Sequence, residues 1–556
     1  YERVWEHPRL PTWVGELYLE FHRGTYTSQA RIKQANRRME LFYREVEFLN
    51  VWASIYGMPS YQQLLNAGWK RILLNQFHDV LPGSSIPEVY VDAERLYTEA
   101  RAIGAQVRDE ALTVLIRHLG AQDNELLLLN TLPWERTDSL QLRDSDTRHI
   151  ERAQYVTDWE GERVLLLDGL AVPPYGAVVV RAVGSIDLSE HLCRATFTTE
   201  SESVVLHTDS YELVLNEQGE ISRLYDKRAA RDVLIPGQTG NQLIAYEDRP
   251  LNFDAWDIDL FYEEKPYPLH EVAQIRVIED GPIRATVEVV RHFLSSQIKQ
   301  RISLWRNSPR IDFATEIDWH EHQILLKAAF PLAINSQRAT YEIQFGSIER
   351  PTHRNTSWDW ARFEVYAHRW VDLSEGGYGV SLLNDGKYGH DIHDNVVRLT
   401  LLKSSTRPDP NADQGLHRFI YSLLPHLGDW REAQTVRHAY ELNVPILSVR
   451  GNEHSARESE KRESITSYSF LRTDCPHVIV ETVKPAEDED GLIVRLYEAH
   501  NQRGSGTLIF ATNILSAEEC NLLEERIGNA LYQENRLQFQ VRPFEIKTFR
   551  VRIALP

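Results

Sequence analysis

The stretch SQARIKQANRRMELFYREVEFLNVWASIYG, residues 28–57, repeats apolar side chains every three or four positions: Ala35, Met39, Phe42, Val46, Leu49, Trp52 and Ile55. That period gathers them on one face of an α-helix, so the run predicts a long amphipathic helix ended by Gly57 and Pro59. A second apolar pattern runs from Tyr61 to Phe77 through Leu64, Leu65, Trp69, Ile72 and Leu73, and a third follows Ser85 to roughly Leu119. Ser85-Ile86-Pro87-Glu88 reads as a capping box with proline in the first turn, where no amide donor is lost, and it places the start of the third helix. Three helices joined by short loops predict an antiparallel bundle over residues 28–120.

After about Gly120 the period changes from helical to alternating. NELLLLN, ERVLLLDG, GAVVVRAV, SVVLHT, YELVLNEQGEISRLYD and RATVEVVRHFL are separated by Gly, Asn, Asp and Pro, which is the signature of strands and turns. Polar breaks near Gly184 to Glu190 and near Gly428 to Val444 divide this part into a small β module (121–183), a large β-sandwich (190–430) and a C-terminal β module (440–556). The acidic run KPAEDEDG at 484–491 leads straight into LIVRLYE and reads as a charged loop between strands. The expected class is therefore multidomain α+β, a three-helix bundle followed by β-sandwich domains.

The 556 residues exceed one core and suggest about three or four domains. With 42% apolar and 26% charged residues, the chain is expected to fold nearly throughout. Lysine and arginine total 61 against 81 acidic residues, a net charge of −20, and a surface of that sign repels phosphate backbones and anionic lipid. Nucleic acid is excluded as a partner on that ground. No apolar run reaches membrane-spanning length. Cys193, Cys475 and Cys520 are too few and too scattered for a disulfide framework or a zinc knuckle, and an odd count fits a reducing compartment, so a cytoplasmic location is expected. The sequon Asn355-Thr356-Ser357 carries little weight, and the opening YERVWEHPRLPTW has neither a methionine nor a signal-peptide pattern, which leaves room for sequence ahead of it.

Several stretches carry residues capable of chemistry. In GELYLEFHRGTYTS, residues 15–28, Glu16, Tyr18, Glu20 and His22 alternate with Leu17, Leu19 and Phe21; on a strand, two carboxylates, a phenol and an imidazole would share one face. An exposed edge strand and the last strand of a domain that presents an acid to a cleft both fit this pattern, with Gly24 turning the chain into the first helix. His78 and Asp79 follow the second helix and precede Pro82-Gly83. Such a pair suits the negative end of a helix dipole and a tight turn, yet imidazole is also a good ligand for zinc or cobalt, and the adjacent carboxylate can bind sugar hydroxyls. One histidine cannot hold a metal alone. His320-Glu321-His322 reads best as a surface strand, and GHDIHDN, with His390, Asp391, His393 and Asp394, fits a site loop or a hydrated hairpin equally. The clusters around Trp256 and around Trp358, Trp360, Tyr366 and Trp370 combine aromatics with carboxylates as sugar-contacting surfaces do, although core packing accounts for most such tryptophans.

Taken together, GELYLEFHRGTYTSQ, LLNQFHDVLPGSSI, the long run from EIQFGSIERP to DGKYGHDI, SSTRPDPNADQG, KPAEDEDGLIVRLYE and PFEIKTFRV resemble the middle and C-terminal parts of family 38 glycoside hydrolases, the α-mannosidases, of the cytosolic and vacuolar type and its bacterial relatives. The resemblance implies a catalytic α/β barrel whose end is residues 1–27, a bundle docked on it, and β-sandwich domains behind, the large one galactose-mutarotase-like. It also implies that His78 is a ligand of a divalent metal, zinc or cobalt, and that Asp79 contacts mannose. Glu16 and Glu20 become the candidates for the acid/base, and Arg23 and Tyr26 candidates to line the sugar pocket. The implied substrate is a mannose-containing oligosaccharide, cut with retention, and the resemblance leaves room for a homo-oligomer. The family's His-x-Asp metal motif and its aspartate nucleophile have no counterpart in the sequence. A retaining glycosidase needs two carboxyl groups about 5 Å apart, so the chain alone is expected not to turn over. A non-catalytic carbohydrate-binding or structural role is the alternative.

Overall fold

The first apolar stripe forms α1 (Ala30–Ser54), the second α2 (Gln62–Asn75) and the third α3 (Pro87–Leu119). The computed structural model describes residues 10–122, 125–143, 154–168, 170–181, 193–198, 203–451 and 467–555; residues 1–9 and the break expected at 184–190 lie outside them. Tyr43 is the wedge of the bundle: it is fully buried and donates its hydroxyl to the Ala100 carbonyl of α3 at 2.6 Å. A Cβ added to Gly68 of α2 would stand 1.7 Å from the Tyr43 hydroxyl, so that mid-helix glycine is a site of close approach. Gly120 ends α3 in the left-handed region at φ 77°, its amide donating to Ile116, with Arg117 and His118 in the last turn where their charge suits the dipole.

The expected capping box is not formed. Ile86 is the N-cap of α3 and offers no side-chain acceptor. Ser85 donates its hydroxyl to the Asp79 carbonyl at 2.9 Å, and its amide donates to the Tyr90 hydroxyl at 2.7 Å. The turn after α2 leaves carbonyls that need donors, and Ser85 meets that need instead of capping. Proline does occupy the first turn as expected.

All the sheets are antiparallel among the described residues. Val272–Asp280, Arg284–Phe293, Ser296–Trp305, Ser308–Trp319, Gly415–Leu427, Tyr378–Asn384, Trp370–Glu375, Arg338–Ile343 and Gly346–Pro351 lie side by side in one broad sheet. A second sheet, centred on Ile324–Pro331 and Val396–Lys403, packs against it: Phe313 stacks 5.0 Å from Tyr421 in its own sheet and lies 5.7 Å from Phe330 across the core. Glu125–Asn130, wholly buried, pairs with Gly176–Arg181 and with Leu447–Arg450, and Ser467–Ser469 completes that sheet, so residues beyond 440 contribute strands to the small β module. The last β body, from Leu471 to Ile553, holds the acidic loop: Asp488 and Asp490 pair with Arg550 and Arg552, while Glu487 accepts from Gln62 and Asn66 of α2.

Several polar clusters resolve into structure. His320, Glu321 and His322 follow the end of a strand rather than lying on one, and the Glu321 carboxylate accepts from the Ser295 amide and the Ser296 hydroxyl, both at 2.8 Å. Gly389–His393 is a strand; His390 is sealed in the core, where burial pulls its imidazole down to about 3, and Asp391 pairs with Lys327 and Arg398. Trp370 is a core residue, whereas Trp358 and Trp360 are exposed.

The polar side of α1 does not face water. Lys33, Asn36, Arg37, Arg44, Glu45, Glu47 and Asn50 are all buried: Arg37 and Arg44 donate into the β domains, while Asn36 and Glu47 accept from Gln76 and Trp69 within the bundle. The N-terminus of α1 is fixed by the sandwich: the Asp413 carboxylate accepts from the Gln29 and Ala30 amides at 2.9 and 2.7 Å, an anion placed where the helix presents free donors.

Candidate functional site

The turn after α2 carries His78 and Asp79. It is held from three sides: Lys33 of α1 donates to the Leu81 and Pro82 carbonyls at 2.9 and 3.1 Å, Ser84 donates to Asp79 Oδ1 at 2.8 Å, and Gly83 at φ 86° runs so close to Ser28 that a Cβ would meet its carbonyl oxygen at 2.2 Å. The tight turn leaves the His78 side chain 75% exposed, with Nε2 3.2 Å from Asp79 Oδ2 and its ring against Phe77. One Asp79 oxygen thus shapes the turn and the other faces the imidazole. His78 is not sealed inside the bundle.

His78 and Tyr26 line the same cleft, of about 980 Å³, between the bundle and the β domains. Tyr26 sits in a short 3₁₀ turn, Arg23–Tyr26, with its ring 5.9 Å from Tyr366, and burial pushes its hydroxyl well above the usual tyrosine range. Deeper in the cleft, burial raises the Glu40 carboxyl, lifts Glu47 to about 7, lowers Lys33 to about 7 and lowers His368 to about 4.

The segment ahead of that turn departs from expectation. Residues 10–22 form no strand, since no described strand lies alongside to complete a hydrogen-bonded ladder. Side chains anchor them instead. Glu16 grips Arg350 with both oxygens, the Tyr18 hydroxyl donates to the Glu364 carbonyl at 2.6 Å, and Trp13 packs 5.3 Å from Trp358. Part of the alternation survives, with Glu16 and Tyr18 turned inward and Leu17 and Leu19 outward, but Glu20 and His22 are exposed. Glu20 and Arg23 border a separate hollow of about 710 Å³ with Asp257 and Trp360. Arg23 itself is buried; its Nε and Nη2 donate to the Ala361 carbonyl at 3.0 and 2.8 Å, and its guanidinium lies 4.4 Å from the Phe363 ring.

The structure therefore brings His78, Asp79 and Tyr26 to one region and puts Glu20 and Arg23 at another hollow, with Glu16 in an ion pair. Among the described residues no group of three or more His, Cys, Asp or Glu side chains is placed to hold a metal ion. The donors present among the described residues do not complete a metal site. Sequence pattern alone does not pick out Glu40, Gln76 and Tyr388, which also line the cleft. The available signal is the charged series Lys33, Arg37, Glu40, Arg44 and Glu47, spaced by four and three residues beside the apolar stripe.

Residues 20–115 match the alpha mannosidase middle domain, 206–411 the glycosyl hydrolases family 38 C-terminal domain, and 477–549 the C-terminal beta sandwich domain of the same family. A bundle followed by antiparallel sandwiches, carrying these matches in order, defines a glycoside hydrolase architecture. The chain belongs to glycoside hydrolase family 38, of which it carries the middle and C-terminal domains. It is 35% identical to alpha-mannosidase 2C1 of Homo sapiens over 553 residues, 97% of this chain and 50% of that protein. It is 31% identical to the alpha-mannosidase of Saccharomyces cerevisiae over 580 residues, 98% of this chain and 49% of that protein. The chain thus spans about half the length of the curated relatives it matches. An alpha-mannosidase from Enterococcus faecalis V583 has the same fold, with a TM-score of 0.78 at 16% identity over 98% of this chain and 70% of that one. No described helix is long and apolar enough to cross a membrane.

Proposed function

We infer that the chain is the middle and C-terminal part of a metal-dependent α-mannosidase that removes terminal α-D-mannose from oligosaccharides with retention. The observation that carries this reading is the position of His78: in a chain of this family it stands exposed at the mouth of a large cleft, with a carboxylate 3.2 Å away. The metal, zinc or cobalt, would take the His78 imidazole as one ligand, and its other donors would come from the portion of the relatives' length that this chain does not span. When bound, such an ion supplies Lewis acidity toward sugar hydroxyls.

This chain's own residues have narrower tasks. Asp79 Oδ2 is free of the turn's hydrogen bonds and stands beside His78, where it can accept from a mannose hydroxyl. Of the two acid/base candidates, Glu16 has both oxygens engaged by Arg350 and Glu20 borders a hollow separate from the His78 cleft, so neither stands beside a sugar held at His78. Tyr26 closes one wall of the cleft, and Arg23 positions the turn that carries Tyr26 by holding the Ala361 carbonyl. The reading includes a cytoplasmic location, from the type of relative matched.

Hydrolysis of an aryl α-mannoside, with zinc or cobalt added, tests the reading on this chain and on a version extended to the full length of the relatives. Activity in the longer protein only, and loss of bound metal in its His78→Ala variant by elemental analysis, are the expected results. Metal content unchanged in that variant would remove His78 from the site. The incomplete donor set favours a second role for the chain taken by itself, as a carbohydrate-binding body without turnover.

A further inference from the structure

One stretch near the end of the chain forms the open edge of two sheets at once. Arg526–Asn529 is the outermost strand of a five-stranded sheet, and Leu531–Gln533, one residue further on, is the outermost strand of a four-stranded sheet in the same β body. Among the described residues no strand lies on their outer side, so their outward main-chain donors and acceptors have no ladder to join. Leu531 and Tyr532 are consecutive on a strand and point to opposite faces, yet both are exposed, so this chain covers neither face. The Tyr532 hydroxyl donates to the Leu515 carbonyl at 3.1 Å and brings Leu515 beside them. With Leu515, Leu522, Leu523 and Ile527, all more than half exposed, they present apolar surface on the order of 600 Å², against about 800 Å² that each partner buries in a stable pair.

The charges around this edge and the order of its residues decide what fits it. Two copies of a chain with a net charge of −20 repel each other over most of their surface. Here the carboxylates are already matched within the chain: Glu518 with Arg526 at 3.2 Å, Glu524 with Lys484 at 2.7 Å, Glu519 with Lys547, and Glu525 with the Asn521 amide at 2.8 Å. Neither strand carries the lysine or proline that commonly blunts an edge. The apolar residues are also symmetric about Ile527. When the stretch lies antiparallel to a copy of itself with a two-fold axis at Ile527, Leu523 falls opposite Leu531 and Leu522 opposite Tyr532 of the other copy. In the same register Glu525 meets Asn529 and Arg526 meets Gly528, so no like charges stand opposite one another.

We propose that residues 522–532 are a self-complementary interface through which two copies of this chain pair edge to edge, antiparallel, about a two-fold axis at Ile527. The strands are short, so the ladder adds only a few bonds and the leucine, isoleucine and tyrosine contacts carry most of the affinity. Sequence ahead of Leu10 would enter beside Trp13, Leu17 and Trp358, an exposed apolar surface on a different body, the large sandwich. A second copy is therefore the occupant that the edge itself specifies. The inference goes beyond the mannosidase reading and does not depend on it.

The test is sedimentation velocity of the 556-residue chain and of a version extended to the full length of the relatives, both at about 10 µM, within the range in which interfaces of this size associate. Twice the chain mass of 64.5 kDa is expected for the first, and a dimer for the second. Ile527→Asp sets two carboxylates against each other at the axis, and Leu531→Asp sets one against Leu523; each should weaken the dimer at least about ten-fold. Leu294→Asp, at an exposed hairpin tip of the large sandwich, should dimerise as the parent does. Circular dichroism checks that each variant folds. Hydrogen exchange adds a reading specific to strand pairing: amides of 526–533 should exchange more slowly in the parent than in Ile527→Asp. A monomeric parent, a dimer unchanged in both edge variants, equal weakening in Leu294→Asp, or exchange unaltered by Ile527→Asp would each overturn the proposal. An extended version that stays monomeric while 526–533 is protected would assign the edge to the added sequence and overturn it too.

Discussion

Replacing Glu47 with glutamine isolates the energetic consequence of burying the polar side of α1. The Glu47 carboxyl is 5% exposed and accepts from the Trp69 indole nitrogen at 2.8 Å, a bond that a glutamine carbonyl can keep. Burial raises its pKa from an ordinary 4.5 to about 7, against the opposing pull of the Trp69 hydrogen bond. The unfolded chain therefore ionises this group first as pH climbs from 4.5 toward 7, and over that interval the folded state holds the extra proton. Stability falls across the window and levels off above it. At about 1.4 kcal/mol per ten-fold change in proton affinity, the loss amounts to about 3 kcal/mol. Glu47→Gln removes the titration, so its stability relative to the parent should rise by about that amount between about pH 4 and about pH 8.5. Hydrogen exchange of the α1 backbone, corrected for intrinsic rates, measures the opening free energy of this helix apart from the other domains. A stability difference between variant and parent that is the same at both pH values would refute the argument.

Two further perturbations test the packing around the site. Gly68→Ala places a methyl group 1.7 Å from the Tyr43 hydroxyl, and forcing that ring aside should cost about 1–3 kcal/mol together with the Ala100 hydrogen bond, read as a lower denaturation midpoint of the bundle and faster exchange in α2 and α3. Arg350→Ala leaves Glu16 without its partner and removes the guanidinium from the Tyr341 and Tyr366 rings, 4.6 and 5.1 Å away; breaking a buried pair costs about 3–5 kcal/mol, and limited proteolysis should cut earlier between residues 10 and 22 while α1 keeps its protection.

What could be read from the sequence follows the range of the interaction responsible. The bundle was legible because burial of Met39, Val46, Leu65 and Ile72 repeats with the helix's own period, and the observed helices start and stop within a few residues of the pattern. The capping box was not, since the hydroxyl of Ser85 is drawn to the Asp79 carbonyl by a turn whose shape depends on Lys33 and Gly83. GELYLE alternates like a strand, but a strand exists only with a neighbour, and the neighbours supplied are the side chains of Arg350 and Trp358 and the Glu364 carbonyl. At the candidate site, sequence pattern placed His78 and Asp79 at a helix end, which the structure bears out, while their standing as site residues came from the family resemblance. The cleft is not legible because its walls come from two distant stretches, residues 25–82 and 343–497, and no local period tells whether a polar helix face meets water or another domain.

That ambiguity explains why α1 is long and buried on both sides. Its apolar stripe, through Met39, Tyr43 and Val46, holds α2 and α3, and α2 ends in the turn that carries His78. Its polar stripe forms one wall of the cleft, while Asp413 of the sandwich fixes its first amides. Lys33 links the two functions directly, standing on the polar stripe and donating to the carbonyls of the His78 turn. The position of His78 over the cleft is therefore set by the docking of the bundle on the sandwich and not by the turn alone. A change that loosens α1 from Asp413 should shift the cleft wall and the imidazole together, whereas a change confined to the tip of the turn should move only the imidazole.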